Sequence, residues 1–191
     1  MTKVQARTLK TRAKLLDAAR AVVSEDGYEA LRVEQVVAKA GVAKGTFFAH
    51  FKDKDALMEQ LIAPVVDGFL DDIELLPAPQ SVEEIVDALM PMIRFMTSER
   101  YIFDVILRHS GAAAKEDIGP IAQNFYRAGL AMAPWLAQGP FRKDISVELM
   151  ADGVGAFLMQ AMALHYCALH NENPIRNQLQ MYLDAWLQPK A

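Results

Sequence analysis

The chain has a single cysteine, Cys167, in 191 residues, so no intramolecular disulfide framework can form. Stability must come from packing, and 52% apolar residues are enough to fill a sizeable core and to exclude a disordered tail protein. No convincing run of alternating β-branched residues appears, which leaves helical spacing as the pattern throughout. There is no internal repeat and no low-complexity linker. A nucleophile elbow, a phosphate-binding glycine loop and a carboxylate constellation are also missing, so nothing points to an enzyme and no cofactor is implied. The start, MTKVQARTLKTRAK, is basic and lacks an apolar stretch, so no secretory signal is expected and a cytoplasmic location is. Charge is missing between Asp152 and Glu172, a span close to the ~20 residues that cross a bilayer. Gln160, His165, Tyr166, His170 and two glycines within it suit a buried bundle helix rather than lipid, and no membrane partner is expected.

What is present is unevenly distributed. The net charge of −4 conceals a basic end: residues 1–54 carry eleven cations against six anions, and the remainder nine against eighteen. A basic N-terminal module on an acidic body is the asymmetry expected when one end meets phosphate.

The stretch RVEQVVAKAGVAKGTFFAHF at 32–51 gives that module a form. Val33, Val36, Val37 and Ala40 recur at helical spacing, and Gly41 permits the left-handed turn that follows. A second short helix starts near Ala43, with Lys44, Thr46 and His50 among the packing residues Phe47 and Phe51. This is the pattern of a helix-turn-helix whose second helix enters the DNA major groove, although an ordinary helical hairpin has the same spacing. Helix 1 is expected from about Thr8 to Asp26, stopped by Gly27, and Asp53 caps helix 4. Pro64, Pro91 and Pro134 should kink or interrupt helices 4, 5 and 7. Ser81 and Glu84 read as a capping box for helix 5. Helix 6 is expected to end at Gly111, helix 8 to span about Lys143 to His170, and helix 9 to start at Pro174.

The first ~55 residues resemble the DNA-binding domain of the TetR (tetracycline-repressor-like) family of bacterial transcription regulators. The resemblance rests on TRAKLLDAA at 11–19, GYEALRV at 27–33, AGVAKGTFFAHF at 40–51 and KDAL at 54–57. It implies an all-α fold of about nine helices: a basic arm and helix-turn-helix domain over residues 1–53, then a helical effector-binding and dimerisation domain over 54–191. It also implies a homodimer, a pseudo-palindromic DNA operator and a small-molecule effector. Three positions depart from the family pattern. Arg32 stands where Thr or Ser is usual, Ala43 where Ser is usual, and Phe48 where Tyr is usual. The expected function is a dimeric, sequence-specific DNA-binding regulator, a repressor released by an effector. The alternative is a helical interaction protein that has lost specific DNA binding, for which Ala43 and Phe48 speak.

The DNA-contacting set is then Arg32, Ala43, Lys44, Gly45, Thr46, Phe48, His50 and Lys54. Lys44 and Thr46 would face base edges or phosphate, Gly45 would allow close approach, and His50 would contact phosphate or pack. In the body, Met90, Arg94, Phe95, Phe103, Arg108, Phe125 and Trp135 are candidates for a largely apolar effector pocket, with plain core as the competing role. Arg94 and Arg108 suit an anionic ligand or a solvated surface. Phe157, Ala161, Leu179, Tyr182 and Trp186 fall in stripes on the last two helices, which would join two subunits in a four-helix bundle. His165, Cys167 and His170 are too few for a closed metal site, so no metal is expected.

Overall fold

The computed structural model describes residues 3–110, 118–167, 169 and 172–189. Gly111 and His170, the expected ends of helices 6 and 8, lie outside these. The described residues form nine α-helices and no strand: α1 (Lys3–Asp26), α2 (Val33–Ala40), α3 (Lys44–Phe48), α4 (Lys54–Leu75), α5 (Val82–Met96), α6 (Arg100–His109), α7 (Pro120–Gln138), α8 (Val147–His165) and α9 (Ile175–Leu187).

The expected stop signals act where they stand. Gly27 turns the chain after α1 at φ +86°, with its N–H on the Val23 carbonyl at 2.9 Å. Gly41 ends α2 at φ +64°, a conformation that costs a residue with a Cβ. Asp53 accepts the Ala56 N–H at 2.8 Å and caps α4, while Ser146 caps α8 through the Leu149 N–H at 3.2 Å. Helix α8 therefore starts at Val147, after Lys143. Ser81 accepts the Glu84 N–H, but the Glu84 carboxylate reaches one residue further back, to the Gln80 N–H at 2.7 Å.

The prolines do not divide their helices. Helices α4, α5 and α7 run unbroken through Pro64, Pro91 and Pro134. All three are solvent-exposed, so the carbonyls that lose an N–H partner can be hydrated. Their neighbours Ile62, Ala63, Met90, Met92 and Trp135 are buried, and that packing favours a continuous helix.

Helix α4 is the spine, packing on α1 at one end and on α5, α6 and α7 along its length. Helix α8 packs on α7 and α9, and α9 closes back on α5. At 19 residues, α8 is long and apolar enough to cross a membrane, yet Met150, Val154, Leu158, Ala161 and Met162 are buried against its neighbours.

Candidate nucleic-acid interface and body cavity

Helix α1 is the platform for α2 and α3. Its Leu15, Ala19 and Val22 are buried with Leu31, Val36, Phe47 and Phe51. Phe47 and Phe51 lie four residues apart with ring centroids 5.5 Å apart, so one side of α3 is fastened inward. Arg12 adds a second fastening: it donates to the His50 carbonyl at 2.8 Å and lies 4.4 Å from the Phe51 ring centroid. With those residues inside, Ala43, Lys44, Gly45 and Phe48 are exposed, and Thr46 and His50 are half-buried. Phe48 is 50% exposed, a large apolar surface to leave in water. Apart from its chain neighbours and the helix's own backbone, nothing lies within 4 Å of where a Gly45 Cβ would stand, so the glycine leaves open space on the outer face.

The cations around α3 differ in availability. Lys44 pairs with Glu34, both exposed, and this hydrogen bond holds the Glu34 carboxyl below the usual carboxylate range. Such surface pairs are weak, so exchanging this one for a phosphate costs little. Arg32 folds back, donating to the carbonyls of Glu29 at 2.7 Å and Leu31 at 3.1 Å. It cannot cap α2; Gln35 accepts the Arg32 N–H at 2.7 Å instead. Ala43 likewise offers α3 no side-chain cap. Lys54 turns toward the body, its Nζ 4.1 Å from the Tyr101 ring centroid and 3.4 Å from the Glu29 carbonyl. Burial there pulls its pKa down.

That seam is dense in polar contacts. The Glu99 carboxylate, just before α6, accepts the backbone N–H groups of Tyr28 at 3.0 Å and Glu29 at 2.7 Å. The Tyr28 ring meets Phe95 edge-on at 6.0 Å. Asp55 on α4 accepts from the Tyr101 hydroxyl at 2.8 Å and from Arg108 Nε at 3.0 Å. Burial, with the bond to Asp55, holds the Tyr101 hydroxyl far above the usual tyrosine range. His109 Nδ1 meets Glu59 Oε1 at 2.8 Å across the same α4–α6 contact.

Between α4, α5, α7 and α8 lies a cavity of about 200 Å³. Val66, Met92, Met96, Phe125, Met132 and Leu158 line it, with Asn124 and Asp152 as its polar side chains. Of the expected pocket residues, Phe125 reaches it and the others go elsewhere. Met90 and Phe103 are buried in the core, and Trp135 is buried beside shallow outer grooves. Phe95 packs against Tyr28 and Phe69. Arg94 is exposed and Arg108 is held by Asp55, so neither supplies a cation to the cavity. Helix phase separates them on α5: Met92 and Met96, four apart, turn its cavity face away from Met90. An outer groove of about 510 Å³ along α7 is larger, but it is lined by Arg127 and Glu74, which pair with each other.

Asn124 and Glu99 were not anticipated. Asn124 had a readable signal, since positions 121, 124, 125, 128 and 132 share one helix face. Glu99 had none, because its partners are backbone groups some seventy positions away.

The expected interface residues also separate. Ala161 and Leu179 are buried in the chain's own core. Trp186 donates Nε1 to the Met150 carbonyl at 3.1 Å, and its ring lies where a Gly153 Cβ would be. These three join α8 to α9 within the chain. Phe157 and Tyr182 stack at 5.1 Å and are half-buried, and beside them Met181 is 59% exposed.

Residues 15–61 match the family model of bacterial regulatory proteins, tetR family. A curated relative, the uncharacterized HTH-type transcriptional regulator YvdT of Bacillus subtilis, is 33% identical over 101 residues, or 52% of each chain. The chain thus spans about half the length of that relative in the match. Among solved structures, Thermus thermophilus FadR, a TetR family transcriptional repressor in complex with lauroyl-CoA, superposes with a TM-score of 0.66 at 18% identity, covering 92% of both chains. The SmeT–triclosan complex, whose protein is a Stenotrophomonas maltophilia repressor, gives 0.59 at 21% identity over 94% of this chain and 92% of that one. At such identities the superpositions establish the all-helical fold of the whole chain, and residues 15–61 are similar to the N-terminal domain of the bacterial tetR-family regulators.

Proposed function

We propose that this protein is a dimeric, sequence-specific DNA-binding transcriptional regulator, a repressor released by a small-molecule effector. The observation that carries this reading is the outer face of α3. Ala43, Lys44, Gly45 and Phe48 are all exposed on a short helix whose other side is anchored by two buried phenylalanines. Such a helix can enter a major groove without unfolding its support. Lys44 and Thr46 read base edges or phosphate, Gly45 admits the backbone, and His50 and Arg32 grip phosphate beside it. Phe48 offers its ring to sugar or a thymine methyl. Lys54 serves the seam first and reaches phosphate only by leaving Tyr101.

In this reading residues 1–53 bind DNA, residues 54–191 bind the effector and form the dimer, and the protein acts in the cytoplasm without catalysis. The subunits pair through α8 and α9, by the outward strip that includes Phe157, Tyr182 and Met181. Two-fold symmetry then dictates a pseudo-palindromic operator.

Release follows from two links between cavity and DNA face. Met96 lines the cavity, and Glu99, which holds the Tyr28 and Glu29 amides, follows three residues later. Val66 lines the cavity from α4, the helix that begins at the DNA-binding domain. A ligand that pushes Met96 and Val66 apart shifts both the clamp and the spine. It need only bind the released arrangement more tightly than the DNA-bound one. Nuclease footprinting on DNA upstream of the gene, backed by selection from random sequence, tests the reading: a protected pseudo-palindrome is expected, and none in either assay would favour a helical interaction protein that has lost specific DNA binding.

A further inference from the structure

We propose that the cavity selects a non-anionic, largely apolar molecule of about one substituted ring that donates a hydrogen bond to Asn124. This deepens the effector reading above and rests on it. Three observations converge on that chemistry.

Asn124 is 3% exposed and lines the cavity. Its Nδ2 donates to Asp67 Oδ1 at 2.8 Å, and its Oδ1 is buried with no hydrogen-bond partner among the described residues. The amide orientation is settled by its neighbour, since a carboxylate only accepts and must meet the NH2 side. The unmatched atom is therefore an acceptor buried beside the cavity, which a ligand meets only when the methionine side chains around it shift, and a buried acceptor is costly to leave unmatched. A ligand hydroxyl or amine N–H matches it; an ether or a carbonyl does not.

The charge lining the cavity has one sign. Among its described lining residues there is no Lys, Arg or His, while Asp152 contributes a carboxylate at the exposed side. Asp67 lies just behind Asn124, where Arg127 also binds it at 3.0 Å. Arg127 is shared with Asp71 and Glu74. A ligand carboxylate or phosphate would meet Asp152 with no cation to compensate, whereas a phenol would not.

Size completes the selection. The cavity's volume of about 200 Å³ lies below the ~300–1,000 Å³ of ordinary small-molecule pockets. A cavity of ~150 Å³ accepts benzene, so one ring with a short substituent fits. Met92, Met96 and Met132 can adjust around it without backbone movement.

The test is isothermal titration of the full chain with three probes of similar shape: 4-ethylphenol, 4-ethylanisole and 4-ethylbenzoate. The phenol should bind about tenfold tighter than the anisole, the size of one good hydrogen bond, and the benzoate should be weakest. In Asn124→Leu the volume is kept and the acceptor lost, so the phenol-to-anisole ratio should fall to about one while the anisole still binds. A wild-type ratio near one, a ratio unchanged in Asn124→Leu, or benzoate binding as tight as phenol would each overturn the proposal. If Asn124→Leu does not fold, methyl NMR of the wild-type chain decides. The methyls of Met92, Met96 and Met132 should shift with phenol and stay put with benzoate; the reverse overturns it. Footprinting with phenol added keeps the two readings apart. Tenfold selectivity without operator release sinks the effector role alone. Specific DNA binding with no selectivity sinks the Asn124 chemistry alone.

Discussion

Glu99 gives the sharpest prediction about how the body holds the N-terminal helices. Its carboxylate is the acceptor for two loop amides, at 3.0 Å from Tyr28 and 2.7 Å from Glu29. Glu99→Ala removes both bonds and leaves those N–H groups to water. Hydrogen bonds to charged groups contribute about 1.5–3 kcal/mol each, but the site is half-exposed and the two bonds share one carboxylate. A combined loss of about 2 kcal/mol is therefore the expected size, roughly a thirtyfold change in a local opening equilibrium. Native-state amide exchange reads it directly: the Tyr28 and Glu29 amides should exchange about thirtyfold faster, while the Val36 amide, in the same domain but away from the clamp, should not change. Glu99→Gln retains one acceptor oxygen and should fall between. The clamp also predicts function, since effector-driven release should weaken in Glu99→Ala while operator affinity without effector survives. Unchanged exchange at both amides, or loss spread evenly over α2, would refute the idea of a local clamp.

Other expectations concern single contacts. Lys44→Ala should abolish specific DNA binding, lower the salt dependence by about one phosphate contact, and leave the dimer intact by sedimentation; unchanged operator affinity would remove Lys44 from the interface. Glu34→Gln frees Lys44 and takes a negative charge from the face, so operator affinity should rise, by up to about fivefold at low salt, in a titration at several ionic strengths. Gly153→Ala drives a Cβ into the Trp186 ring at Nε1 and should cost about 1–3 kcal/mol in a denaturant melt, and a neutral result would mean that α8 and α9 slide freely. Met181→Glu buries no charge within the subunit, so it should keep helicity yet shift sedimentation from dimer toward monomer; an unaltered dimer would place the interface elsewhere.

The N-terminal domain was legible because its signals are local. Gly27 and Gly41 sit where only a positive φ closes the turn, and Leu15, Ala19, Val36, Phe47 and Phe51 announce their inward faces by spacing alone. The all-helical class was legible for the same reason, as was the cap at Asp53. That the prolines leave their helices undivided was not legible, because spacing does not tell which side of a helix meets water. Pro64, Pro91 and Pro134 all fell on the solvated side, where a missing N–H matters least.

Periodicity reveals an apolar stripe but not what covers it. Ala161 and Leu179 were as apt for a partner subunit as for their own core, and only the packing of α8 on α9 assigned them to the core. The same limit separated Met92 and Met96, which face the cavity, from Met90, which does not. Sequence alone determined the helix class, the basic N-terminal module and its family likeness, because each depends on neighbours a few positions apart. Tertiary structure decided where the cavity lies, that Asn124 keeps an unmatched oxygen there, and that Glu99 grips a distant loop. Those are meetings between helices, and no local pattern encodes which helix arrives or at what angle.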